Sequence, residues 1–114
     1  MSQHSSLSPE RWSAFQRDQQ ILMIGNEMNR ASRLVSPADD EGLKRAYERV
    51  LRLVDLTVEV QNGRGLRREL LRWRDLVAAL YSRSEPDPEA HKTAFRALLL
   101  LSPISARQIP LLLS

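Results

Sequence analysis

The chain has 114 residues, of which 42% are apolar, and its formal net charge is +3. This length suits one domain with a single core and leaves no room for a second domain. The chain contains no cysteine, which excludes disulfides, thiolate metal sites and cysteine nucleophiles.

The composition favours helices, because Leu, Ala, Glu and Arg are abundant while glycine occurs four times and Trp, Tyr and Phe twice each. We predict a single all-α domain over residues 1–114. The first ten residues are polar and lack the apolar core of a signal peptide. The longest apolar run, at 97–101, is far shorter than the ~20 residues that span a bilayer. We therefore expect a cytoplasmic protein that makes no contact with a membrane.

Four capping residues that precede proline predict helix starts along the chain. An N-cap serine or aspartate accepts a bond from a free backbone N–H, and proline at the first helical position loses no hydrogen bond. The four pairs are Ser8-Pro9, Ser36-Pro37, Asp87-Pro88 and Ser102-Pro103. At the second start, Asp39 three residues after Ser36 forms an acidic capping box.

A stop at Gln61-Asn62-Gly63 ends the second helix, and the short joint after it predicts an antiparallel hairpin with the third. The predicted helices span about 9–35, 36–60, 65–82 and 88–101, and a short fifth helix runs from 102 to 109. We predict an antiparallel up-and-down bundle of four helices with a short C-terminal helix. A polar arm at 1–8 and an apolar tail at 110–114 flank it.

The first predicted helix is apolar in two directions. Ile21, Ile24, Met28, Ala31 and Val35 form one stripe, and a second stripe lies about half a turn away. One stripe suffices for a surface helix, so the second must be covered by another part of the chain or by another chain. Together with the C-terminal leucines, it supplies the candidate interface: Trp12, Phe15, Leu22, Leu111, Leu112 and Leu113.

No catalytic, metal or cofactor site is predicted. The two histidines, His4 and His91, are far apart, and no Glu-x-x-His pair exists. Glu89 and His91 do not share a helix face, and we expect His91 to be a solvated surface residue. There is no glycine-rich phosphate loop and no Ser-His-acid set.

Glu27 lies on the border of the first apolar stripe, so its carboxylate is expected to be partly buried and to need a cationic partner. Arg30 faces outward, so we do not expect it to be that partner. Arg74 and Arg49, near the apolar borders of their helices, are candidates, and we take Glu27 and Arg74 as the candidate buried polar pair. The main interpretation is a structural ion pair. The alternatives are an interior site that binds an anion or performs acid–base chemistry, and plain surface exposure.

An arginine cluster occupies the third predicted helix: Arg64, Arg67, Arg68, Arg72 and Arg74. Arginines at this density can contact phosphates in nucleic acid or in a nucleotide. However, Arg68 and Arg72 lie on one flank of the apolar stripe and Arg67 and Arg74 on the other. Since acids on the same and the preceding helix can neutralise them, a solvated or ion-paired border is the favoured interpretation.

The segments IGNEMNRA, RVLRLVDLT and RRELLRWRDLVAALY resemble a group of small bacterial helical proteins with no assigned function, over about residues 21–81. The resemblance implies a compact bundle and no activity. Our main hypothesis is a non-enzymatic protein–protein interaction or assembly module that forms a homo-oligomer, because apolar surface, including Leu71, exceeds what one bundle needs. The alternatives are nucleic-acid or nucleotide binding through Arg64–Arg74 and an enzyme that uses Glu27.

Overall fold

The structure is a computed structural model that describes residues 7–35 and 40–113. Within these ranges it contains helices and no strands, so the all-α prediction is confirmed. The helices are α1 (Pro9–Ser13), α2 (Arg17–Val35), α3 (Asp40–Val60), α4 (Arg64–Ser82), α5 (Pro88–Leu99), α6 (Pro103–Ala106) and α7 (Ile109–Leu112). The four long helices form a closed ring in which α2 packs on α3 and α5, and α4 also packs on α3 and α5.

The prediction of one continuous helix from residue 9 to residue 35 is wrong, because the chain breaks between α1 and α2. The break lets Trp12 enter the core, where its Nε1 donates to Thr57 Oγ1 at 2.8 Å. The amide of Gln20 donates to the carbonyl oxygens of Trp12 (2.9 Å) and Phe15 (3.1 Å). Side-chain bonds thus satisfy carbonyl groups that a continuous helix would have bonded internally.

Two of the four predicted caps are made as expected: Ser8 accepts from the Arg11 N–H, and Asp87 accepts from the Ala90 N–H. Ser102 precedes α6, but its hydroxyl donates to Asp18 of α2 and accepts no capping hydrogen bond from the backbone of α6. The predicted start at Ser36-Pro37 with Asp39, His4 and most of the polar arm lie outside the described residues.

The C-terminal region differs in detail from the prediction. The fourth long helix ends at Leu99, and two short helices replace the single one expected at 102–109. The last of these, α7, includes the first part of the predicted apolar tail.

The predicted main stripe of α2 forms the centre of the core, and Ile21, Ile24 and Met28 are fully buried. Helix α2 continues through Gly25, where a Cβ atom would lie 3.4 Å from a Leu99 methyl group and 3.7 Å from the Phe95 ring. These are ordinary contact distances, so a methyl group at this position would fit between α2 and α5. Among the described helices, none has both the length and the apolar character needed to cross a membrane.

Candidate interaction surface

The predicted interface on the first helix is largely used inside the molecule. Trp12 is fully buried, because α1 folds onto α3, and it is removed from the candidate interface as a core residue. Phe15 and Leu22 are half-buried. At the C-terminus, Leu112 and Leu113 are half-buried against the core and line a small cavity, whereas Leu111 is 75% exposed.

Glu27 is buried, as its position on the stripe predicted, and of its two candidate partners it binds Arg49; it also binds Arg30, which was not expected to be a partner. Its Oε2 accepts from Arg49 Nε at 2.9 Å and its Oε1 from Arg30 Nη1 at 3.1 Å. The candidate pair of Glu27 and Arg74 is wrong, since Arg74 binds Asp55 of α3 at 2.7 Å. That hydrogen bond, followed by the charge of Asp55, raises the pKa of Arg74. Both carboxylate oxygens of Glu27 are thus held by arginines, and the bond to Arg49 joins α2 to α3.

His91 is the polar residue whose environment the sequence analysis misjudged. It is buried at the centre of α2, α3 and α5, where a solvated position was expected. Its Nδ1 lies 2.7 Å from the hydroxyl of Tyr47, and its Nε2 lies 2.9 Å from Ser32 Oγ and 3.0 Å from the Met28 carbonyl oxygen. A sequence signal existed, because His91 shares a helix face with Ala94, Phe95 and Leu98.

The contacts of His91 fix its proton. A carbonyl oxygen only accepts hydrogen bonds, so Nε2 carries the proton and donates toward Met28, and Nδ1 accepts from Tyr47. The hydroxyl of Ser32 donates to the same Met28 carbonyl. A histidine that activates a serine needs an unprotonated nitrogen facing the hydroxyl, which is the opposite arrangement. The contacts of His91 with Ser32 and Tyr47 therefore join α2, α3 and α5, and Ser32 and His91 do not form a nucleophile–base pair.

Burial also shifts the pKa values of His91 and Tyr47, the two titratable groups of this cluster. Burial lowers the pKa of His91, and the hydrogen bond to Met28 opposes this only in part. The pKa of the Tyr47 hydroxyl is raised, first by burial and then by the charge of Asp87. Both shifts favour the neutral forms, which the hydrogen bonds require. No buried side-chain nitrogen or oxygen of the described residues lacks a hydrogen-bond partner.

The arginine cluster on α4 divides differently from the two flanks predicted. Arg72 pairs with Glu69 at 3.4 Å, and Arg74 pairs with Asp55. Arg64, Arg67 and Arg68 are exposed and form no ion pair within the described part of the chain. Within the favoured interpretation of a solvated or ion-paired border, Arg72 and Arg74 are therefore ion-paired, whereas Arg64, Arg67 and Arg68 are solvated.

An apolar groove between α4 and α5 is the feature that the sequence analysis missed. Leu76 is 48% exposed and stands between two hollows of about 250 and 240 Å³. The two hollows share Leu76. Their other apolar lining residues are Trp73, Ala79, Leu80, Ala90, Ala94, Ala97 and Leu101, and their polar lining residues are Glu69, Arg72, Arg83 and Thr93. Because alanine side chains are short, the groove is shallow and the Leu76 side chain projects from it.

Residues of α4 and its C-terminal cap, Arg83, line this groove at intervals of seven positions. Glu69, Leu76 and Arg83 all line it and lie seven residues apart, with Trp73 and Leu80 between them. This is the spacing of a helix face that packs against another helix. A glutamate and an arginine therefore lie at equal distances on either side of an exposed leucine.

Comparison with protein families, curated proteins and solved structures finds no significant match. Among the described residues, no group of three or more metal-ligating side chains lies together. The function must therefore be argued from the surfaces of the chain itself.

Proposed function

We propose that this protein is a non-enzymatic assembly module in which the α4–α5 groove joins two copies of the chain. The observation that supports this proposal is the half-exposed Leu76 between two apolar hollows. An apolar surface of this kind favours association, because burying it removes apolar area from water.

A second copy is the occupant that the groove fits best. If a twofold axis perpendicular to α4 passes near Leu76, the two α4 helices run in opposite directions and their leucines meet at the axis. Residues seven positions before Leu76 then face residues seven positions after it, so Glu69 of one copy faces Arg83 of the other. This pairing occurs twice, once on each side of the axis, and each pair is of opposite charge.

The present partners of these charges are easily exchanged. Glu69 is paired with Arg72, and Arg83 with Asp87. The four paired side chains are between 31% and 70% exposed. Exposed ion pairs contribute only about 0–1 kcal/mol. The charges can therefore turn toward a second copy at little cost, and they would fix the direction in which the two helices cross.

The interior chemistry supports a role without catalysis. The tautomer of His91 does not suit activation of Ser32, and the carboxylate of Glu27 is held by two arginines. These groups account for their own hydrogen bonds within the fold.

Sedimentation velocity at micromolar concentration tests the proposal. We expect a particle of twice the 13.1 kDa chain mass that dissociates in a Leu76→Glu variant. Leu71→Glu is the matched control, since Leu71 lies on the same helix, is equally exposed at 48% and does not line the groove. A monomeric wild type, or equal dissociation by both variants, would contradict the proposal.

A charge exchange tests the twofold arrangement. Glu69→Arg and Arg83→Glu should each weaken self-association, because each places like charges opposite one another in both pairs. Mixed together, the two variants should form a heterodimer, since both pairs are again of opposite charge. If they do not associate on mixing, the antiparallel arrangement about Leu76 is wrong.

A further inference from the structure

We infer that the first turns of α4 bind the sugar–phosphate backbone of nucleic acid through Arg64, Arg67 and Arg68. This inference is independent of the proposed dimer, because it uses a different face of the same helix. The three residues are spaced i, i+3 and i+4, which places them next to one another on the helix surface.

The three guanidinium groups are available to a ligand. All three residues are exposed, and among the described residues none forms an ion pair. The nearest acid on the helix, Glu69, is engaged by Arg72. Like charges at this spacing repel each other by a few tenths of a kcal/mol, and a polyanion would convert that repulsion into attraction.

A fourth arginine approaches from α2. The Nη2 atom of Arg17 lies 3.6 Å from the position that a Cβ on Gly63 would occupy, directly before α4 begins. Arg17 is exposed and likewise makes no ion pair among the described residues. The basic surface therefore includes side chains from two helices that meet at one end of the bundle.

The composition of the surface indicates phosphate contacts without base recognition. Guanidinium groups form paired hydrogen bonds with phosphate oxygens, and all four cations are arginines. Trp73, the aromatic residue of this part of α4, is buried and donates to the Ala94 carbonyl oxygen, so it is not free to stack on a base. We therefore expect little sequence preference and a strong dependence on salt. The apolar component is a single leucine, Leu71, which favours a nucleic acid over a membrane surface.

Fluorescence anisotropy with a labelled duplex DNA and a single-stranded RNA of equal length tests the inference. For phosphate contacts by these four arginines, the logarithm of the binding constant should fall with the logarithm of salt concentration with a slope of about −3.6 on duplex DNA. Replacing Arg64, Arg67 and Arg68 with glutamine should reduce this slope to about −0.9, the contribution of Arg17, and weaken binding at low salt at least about tenfold. The two probes distinguish DNA from RNA as the source of the backbone.

A matched variant separates this surface from net charge. Arg33, Arg96 and Arg107 are also exposed and lie elsewhere on the molecule. Replacing these three with glutamine lowers the net charge from +3 by three, to zero, as does the α4 variant. The inference requires that this control keep the wild-type slope. The inference is overturned if both variants lose binding equally, or if the wild type binds neither nucleic-acid probe. Binding by the wild type to anionic phosphatidylserine vesicles alone would also overturn it.

Discussion

Protonation of His91 should destabilise the fold in mildly acidic solution. In the folded protein its pKa is lowered, chiefly by burial, whereas in the unfolded chain it is close to the usual 6.5. Above pH 6.5 both states are neutral and the full stability is present. As the pH falls through 6.5 toward the lowered folded value, the unfolded chain takes up a proton that the folded protein does not, so the free energy of unfolding decreases.

The magnitude of this effect has an upper limit. One proton contributes at most about 1.36 kcal/mol per pH unit, so lowering the pH from 6.5 to about 5 removes at most about 2 kcal/mol. Carboxylates with ordinary pKa values near 4 contribute mainly below this range. The contacts explain the penalty: a charged ring would donate from both nitrogens, and the Tyr47 hydroxyl would lose its acceptor at Nδ1.

Urea denaturation measured between about pH 7.5 and pH 5 tests the reasoning, at one fixed protein concentration because association also stabilises the folded state. The control replaces both His91 and Tyr47 with phenylalanine, which removes both partners of the 2.7 Å hydrogen bond and the titrating group. The control should lose the pH dependence in this range. A wild-type stability that does not change between these pH values would refute the argument, as would a control that retains the full dependence.

Two further substitutions test the packing of α2. Gly25→Ala should raise the free energy of unfolding by about 0.5–1 kcal/mol in urea denaturation, because helix propensity improves and the new methyl group makes ordinary contacts with Leu99 and Phe95. Gly65→Ala, with nothing within 4 Å, is the contact-free control. Glu27→Gln should lower the free energy of unfolding by about 1.5–3 kcal/mol, since Arg49 loses a charged partner. An unchanged midpoint for Glu27→Gln would show that this ion pair contributes no net stability.

The helix ends that the sequence predicted well are those decided by a few adjacent residues. The caps at Ser8 and Asp87 and the stop at Gln61-Asn62-Gly63 depend on backbone groups within one turn. The break after α1 depends instead on bonds to residues far along the chain. Trp12 bonds Thr57, and Gln20 bonds Gln61, neither of which a local pattern specifies.

The same distinction explains the polar interior. The burial of Glu27 could be predicted from its position on a helix stripe, but the choice between Arg49 and Arg74 depended on how α3 and α4 are rotated against α2. His91 carried the same local signal, since it shares a face with buried residues of α5. Its partners come from two other helices, so the hydrogen bonds that stabilise it were not readable from its neighbours in the sequence.

These assignments concentrate the proposed interactions on α4. At about 100° per residue, Arg64, Arg67 and Arg68 lie roughly 120°, 180° and 80° around the helix from Leu76. A second copy bound along the Leu76 stripe would therefore leave the arginine face open. The two proposals can fail separately: Leu76→Glu should leave the salt slope of each chain unchanged, and the α4 glutamine variant should leave the sedimenting mass unchanged. Loss of both properties in either variant would mean that one surface serves both contacts.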